Sequence, residues 1–221
     1  MKNIRITRIL EKLVEVYGTG PGNWHTRQPP FHVLIGTVLS QRTRDEKTDE
    51  AAKRLFRRYP TPFAIASAPL AEVEDCIRPV NYYHTKAKRI KEIARILIER
   101  YRGEVPEDVN ELLRLPGVGR KTANCVMVYG FRKAAIPVDT HVHRICNRLG
   151  LVTTGSPEQT EKALQELIPP EYFLVINELM VKHGKTICKP VKPLCRKCPV
   201  EEYCEFPDKE ELLWKPRKDL S

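Results

Sequence analysis

The sequence predicts an all-α protein, and three observations carry that prediction. Apolar residues recur at spacings of three and four through most of the 221 residues, the period of an amphipathic helix. The breaks between these runs carry helix stop and start signals, at Leu115-Pro116-Gly117, Gly130, Gly150 and Ser156-Pro157. No convincing alternating pattern interrupts them: the best β candidate, Ala134-Ala135-Ile136-Pro137-Val138, is short and holds a proline.

Residues 4–17 place Ile6, Ile9, Leu10, Leu13, Val14 and Tyr17 on one stripe, and Gly18-Thr19-Gly20-Pro21-Gly22 ends that helix. Residues 31–41 are apolar with little polar relief, which predicts a central helix buried on all sides. Residues 45–59 are amphipathic, with Ala51, Ala52, Leu55 and Phe56 inward. Two short helices follow near 62–67 and 70–77, then a long one over about 84–102 with Ala87, Ile90, Ile93, Ala94, Leu97 and Tyr101 inward. A short helix at 107–114 ends at Leu115-Pro116-Gly117, and another spans 120–130. Asp139, a preferred N-cap residue, opens a helix ending at Gly150. Ser156-Pro157-Glu158-Gln159 is a capping-box start with proline at the first helical position, opening a helix to about Ile168. The last helix covers about 171–183, and the basic tail Lys215-Pro216-Arg217-Lys218 is expected to fray.

The chain carries 38 Lys+Arg against 28 Asp+Glu, a formal charge of +10. Such a balance suits a nucleic-acid partner and equally a generally basic surface. With 41% hydrophobic residues the chain is too apolar for a disordered protein. No apolar run reaches the roughly 18 residues of a membrane helix, so no membrane partner is expected. The N-terminus lacks the apolar core of a signal peptide, which predicts a reducing, cytoplasmic location.

Leu115-Pro116-Gly117-Val118-Gly119-Arg120-Lys121 reads as a helix end, a tight two-glycine turn and a new helix start. A helix start exposes N–H groups suited to an anion, so Leu115, Gly117, Val118, Gly119 and Arg120 are candidate DNA contacts that hold a phosphate without reading sequence. A plain helical hairpin would use the same glycines. Lys121, just inside the second helix, is a candidate nucleophile: a neutral amine can attack a sugar carbon and form a Schiff base. Asp139 is a candidate carboxylate to stabilise positive charge as a base leaves; capping its helix is compatible with that role.

Cys76, Cys125 and Cys146 lie among apolar neighbours and read as small core residues. Cys188, Cys195, Cys198 and Cys204 instead crowd into one loop with spacing C-x6-C-x2-C-x5-C, which in a reducing compartment points to metal. Spacing alone leaves zinc and a [4Fe–4S] cluster both open. Lys189, Lys192, Arg196 and Lys197 make this loop a basic knob suited to a DNA backbone.

Together the hairpin Leu115-Pro116-Gly117-Val118-Gly119-Arg120-Lys121-Thr122-Ala123-Asn124, the segment Val138-Asp139-Thr140-His141 and the four-cysteine loop resemble the endonuclease III family of helix-hairpin-helix DNA glycosylases, over nearly the whole chain. The resemblance implies a two-lobed fold: a six-helix barrel of residues 23–134, and a second lobe of residues 1–22 plus 135–221 with a [4Fe–4S] loop held by the four cysteines. DNA would lie in the cleft between them. It further implies a monomeric, bifunctional glycosylase and abasic-site lyase acting on double-stranded DNA with a damaged pyrimidine or abasic site. Lys121 would be the Schiff-base lysine, Asp139 the catalytic carboxylate and His141 a DNA contact. Adenine-removing and thymine-mismatch relatives usually lack the lysine, so Lys121 favours the lyase branch. Two positions depart from the family pattern. Its gap-filling glutamine aligns with Arg42, with Gln41 just before it, and its apolar wedge after a glycine becomes Asn81-Tyr82-Tyr83, making Tyr82 the wedge; Gln41, Arg42 and Tyr82 are thus candidate DNA contacts. A mismatch glycosylase of the same fold, a non-catalytic DNA-binding module and an electron-transfer iron–sulfur protein are the competing readings.

Overall fold

The computed structural model describes residues 2–18 and 29–209. It divides into two compact units, Pro21–Pro137 and Met1–Gly20 with Val138–Ser221. Among the described residues there is no strand, and Ala134–Val138 runs as irregular backbone. The tail at Lys215-Pro216-Arg217-Lys218 and most of the Gly18–Gly22 break lie outside the described residues.

The hairpin unit is built around α2 (Pro30–Ser40), which opens on a proline at its first turn. Its residues Val33, Leu34, Ile35, Val38 and Leu39 are all fully buried, so the near-absence of polar residues here matches a helix enclosed on every side. Each such side chain contributes about 1.5–3 kcal/mol on burial. Packed around it are α3 (Asp45–Arg58), α6 (Tyr83–Tyr101) and α8 (Arg120–Cys125). The short α4 (Pro62–Ser67) and α5 (Leu70–Cys76) lean mainly on α6. Acidic Asp45 and Glu46 open α3 and basic Arg57 and Arg58 close it, both favourable to the helix dipole. α6 ends with Arg102 in a left-handed conformation, and the Gly103 N–H bonds back to Leu97 C=O at 2.9 Å. α7 (Val109–Leu113) is capped by Asp108, whose Oδ1 accepts from Asn110 N and Glu111 N.

The helix expected over 120–130 is not uniform. α8 is regular to Cys125, and Val126–Gly130 widens into a π turn in which Phe131 N–H reaches Val126 C=O at 3.1 Å. The side chain of Asn124 is buried there and donates to Ile136 C=O at 3.1 Å, tying α8 to the segment that leaves the unit.

The second unit contains α1 (Lys2–Tyr17), α9 (Thr140–Arg148), α10 (Pro157–Leu167) and α11 (Ile176–Thr186), with α11 packed on both α1 and α9. Ile6, Ile9, Leu10 and Leu13 form the buried stripe of α1. Ser156 caps α10, accepting from Gln159 N at 3.3 Å. The reciprocal bond of a capping box does not form on Ser156. Gln159 Oε1 reaches one residue further and accepts from Gly155 N at 2.9 Å. The helix expected over 171–183 is corrected to α11, beginning at Ile176. Pro170 supports only a 3₁₀ turn, Pro170–Tyr172, and α-type bonding starts with Leu179 N–H on Val175 C=O. Cys76, Cys125 and Cys146 are buried, and burial pushes the Cys146 thiol up to about 12, so it is inert.

Candidate active site

In the hairpin unit, α7 and α8 are joined by a turn whose geometry requires glycine at one position and leaves it optional at the other. Gly117 has φ +72°, and a Cβ there would lie 2.4 Å from the Arg89 side chain. Gly119, the N-cap of α8, sits at φ −95°, ψ 177°, backbone that any residue adopts, and a Cβ there would meet nothing within 4 Å. Its open side faces no protein atom. Leu115 and Val118 are buried, at 2% and 6% exposure, and Val118 N–H bonds to Leu115 C=O. Their side chains therefore anchor the turn, and contact with DNA would fall to the main chain. Lys121 stands half-buried in the first turn of α8, beside the exposed Arg120.

A hydrogen bond ties the turn after α2 to this hairpin, and α6 is tied to the same turn. Gln41 Nε2 donates to Gly117 C=O at 2.9 Å, and its Oε1 lies 3.4 Å from Arg89 Nη1. Arg42 is exposed and has φ 53°. Tyr82, which precedes α6, has φ 57° and is 64% exposed. Between them the ammonium of Lys86 is buried. It donates to Leu39 C=O at 2.7 Å, Gln41 C=O at 2.6 Å and Thr43 Oγ1 at 3.0 Å. Burial, aided by the positive charge of Arg89, pulls Lys86 down to about 8. Lys86 was not foreseen. Its signal was a lysine four residues before Ile90 on the edge of the apolar stripe of α6.

In the second unit, Asp139 is the N-cap of α9, half-buried, with φ −107° and ψ −173°. Both cap bonds, from His141 N at 2.8 Å and Val142 N at 2.9 Å, land on Oδ1, leaving Oδ2 outside the cap. His141 is half-buried in the first turn, with its Nδ1 3.3 Å from Arg144 Nη2.

Cys188, Cys195, Cys198 and Cys204 line one pocket with Arg148, His183 and Phe206. Among the described residues, no three His, Cys, Asp or Glu side chains converge tightly enough to hold a single ion. The four thiols line the same pocket, which makes them the residues that could together hold a metal group. Burial pushes the Cys198 thiol up to about 11 and raises Cys195 and Cys204, so only a positive centre would keep these sulfurs as thiolates. Arg148 donates to Cys188 Sγ at 3.7 Å and to Lys189 C=O at 2.7 Å, and lies 4.5 Å over the Phe206 ring. His183 Nε2 is 3.7 Å from Cys198 Sγ, and its Nδ1 is 3.0 Å from Tyr17 OH. Arg148 and His183 also escaped sequence reasoning, because nothing in their own neighbourhoods announces the loop. Lys189, Lys192, Arg196 and Lys197 are all exposed on its outside.

Residues 35–170 match the HhH-GPD superfamily of base excision DNA repair proteins. The chain is 52% identical over 199 residues to endonuclease III of Thermotoga maritima, covering 90% of this chain and 93% of that one. A solved structure of a trapped endonuclease III–DNA covalent intermediate superposes with a TM-score of 0.85 at 37% identity, over 96% of this chain and 99% of that one. A thermostable thymine-DNA glycosylase gives 0.83 at 27% identity, over 94% and 98%.

Proposed function

The chain belongs to the endonuclease III family within the HhH-GPD superfamily of base excision DNA repair proteins, and from that membership we propose the chemistry of each of its site residues. The protein is a DNA glycosylase and abasic-site lyase that binds double-stranded DNA at damaged bases. Its substrate is an oxidised pyrimidine. It acts in the cytoplasm, on the nucleoid. No helix among the described residues is long and apolar enough to cross a membrane.

The reaction begins with extrusion of the damaged nucleotide, which costs a few kcal/mol and less for a weakened pair. The neutral Nζ of Lys121 attacks C1′ of the sugar and the base departs with the bonding electrons, taking up a proton. Asp139, through Oδ2, stabilises the positive charge that develops on the sugar. Loss of a proton from the nitrogen and ring opening give an imine between Lys121 and C1′. The imine draws electrons from C2′, which loses a proton, and the C3′–O bond breaks with phosphate leaving. Water then releases the lysine. The open side of Gly119 receives a backbone phosphate at the start of α8. Arg42 and Tyr82 face the opened base step, while Gln41 acts through Gly117 as a tie to the hairpin. Four thiolates, from Cys188, Cys195, Cys198 and Cys204, would hold a [4Fe–4S] cluster. When bound it cross-links the loop and offers a one-electron centre.

The observation that carries this reading is a half-buried lysine, Lys121, in the first turn of the helix leaving the glycine hairpin. Likeness to a thymine-DNA glycosylase supports a second reading, base removal without a nick. Borohydride trapping separates the two. Duplex DNA with one oxidised pyrimidine should yield a covalent protein–DNA band, absent for Lys121→Gln. Base release with no band from the native protein would establish the second reading.

A further inference from the structure

Left-handed backbone is unfavourable for any residue bearing a side chain and persists only where its surroundings hold it. Arg42 at φ 53° and Tyr82 at φ 57° are two such residues, forty positions apart in sequence. Both expose their side chains. The backbones that carry them are fastened to each other. Asn81 Nδ2 donates to Arg42 C=O at 2.6 Å, and Asn81 N–H donates to Thr43 Oγ1 at 3.2 Å. The same Thr43 oxygen accepts from Lys86, whose remaining donors go to Leu39 and Gln41 carbonyls. An ammonium has three N–H donors, and all three are spent on the turn that carries Arg42. Residues on both sides of Arg42, and Asn81 just before Tyr82, are thus held by one buried cation and one asparagine. Asn81 stands where the family pattern has glycine, which would keep the N–H bond to Thr43 but could not make the side-chain bond to Arg42.

We propose that Arg42 and Tyr82 form a single preset two-pronged probe of the duplex, and that Asn81 and Lys86 are the positioning residues that lock its prongs together. A preset probe has its ordering cost met during folding, so both prongs enter the opened step in one event. Loose prongs would order separately on DNA. The inference rests on the reading of Arg42 and Tyr82 as the residues that face that step.

The test is a double-mutant cycle on base extrusion by the full-length, metal-loaded protein. The substrate is a duplex with one oxidised pyrimidine and 2-aminopurine as its neighbour, whose fluorescence rises on unstacking. Arg42→Ala and Tyr82→Ala are each expected to slow the rise about tenfold, and the double variant hardly further, as for groups acting as a unit. In an Asn81→Gly background the two losses should become multiplicative. Lys86→Met should resemble the double variant, and Lys86→Arg should recover part of the rate. Because Lys86→Met removes a buried cation and can misfold, the surface change Asn81→Gly decides the matter. Losses that already multiply with Asn81 present, or a coupling untouched by Asn81→Gly, would overturn the locked probe. If neither Arg42→Ala nor Tyr82→Ala alters extrusion, the assignment of the prongs themselves is wrong and the proposal falls with it.

Discussion

At Asp139, capping and chemistry are separable because they use different oxygens. Oδ1 holds both cap bonds and Oδ2 holds neither. Asparagine caps as well as aspartate, so Asp139→Asn should leave thermal stability within about 0.5 kcal/mol while slowing base release on the order of a hundredfold. Asp139→Ala should lose the cap as well, at about 1 kcal/mol. Calorimetry beside single-turnover kinetics reads both, and equal stability loss in the two variants would refute the division of labour. Lys86 yields a pH signature of opposite signs. Its folded value is about 8 against an ordinary 10.5. Between these limits the unfolded chain holds the proton more tightly, so this residue's contribution to stability rises with pH across the window and is smallest below 8. The clamp behaves in the reverse sense, since a neutral amine has too few N–H donors for three acceptors. Arg89 is the charged neighbour that adds to the shift, while the α2 and turn side presents two carbonyls and a hydroxyl that do not titrate. Base extrusion should therefore fall as pH passes through 8 while stability, taken as native minus Lys86→Met, rises. A parallel change in both would reduce Lys86 to a structural lysine.

Among the elements, the hairpin separates what its own fold needs from what a ligand needs. Gly117 is fixed by positive φ and by Arg89, so Gly117→Ala should cost about 1–2 kcal/mol or more. Gly119 has neither constraint. Gly119→Ala should leave the melting temperature unchanged and weaken binding to undamaged duplex, since the new methyl stands where a phosphate approaches. Binding equal to the native protein would show that no phosphate comes there. The sequence made this hairpin legible because turn chemistry is local: two glycines, a preceding proline and a following basic pair. The stripes of α1, α3 and α6 were legible for the same reason, each defined within its own few turns. The π turn at Val126–Gly130 was not, because its apolar residues satisfy an α period equally well. Nor was the late start of α11, where Tyr172 and Phe173 fit the helical stripe but the main chain behind Pro170 turns too tightly. Lys86 and Asn81 lay beyond reach because their partners sit about forty residues away in sequence.

For the whole molecule, the informative contrast is between a unit closed by its own apolar core and one that also depends on its cysteine loop. The hairpin unit has α2 buried throughout. In the other unit, long-range polar bonds fasten the loop to three helices. From α1, Arg5 donates to Tyr203 C=O at 2.7 Å and pairs with Glu205, and Lys12 pairs with Glu202. From α9 comes Arg148, and from α11 comes His183. Exposed ion pairs of this kind contribute at most about 1 kcal/mol each. The four cysteines are only half-buried, and burial raises three of them, so as neutral thiols they add little hold of their own. The centre those thiolates would hold would then be the main cross-link of this unit, because its binding energy would be available only to the folded loop. Cys198→Ala should bleach the visible absorption of the bound centre and lower the melting temperature by more than about 10 °C. Helical signal should be lost in two steps, with the smaller, early one from this unit. A bleached protein that melts like the native one would show that the arginine and histidine bonds hold the loop unaided, and the centre would then have to be explained by something other than stability.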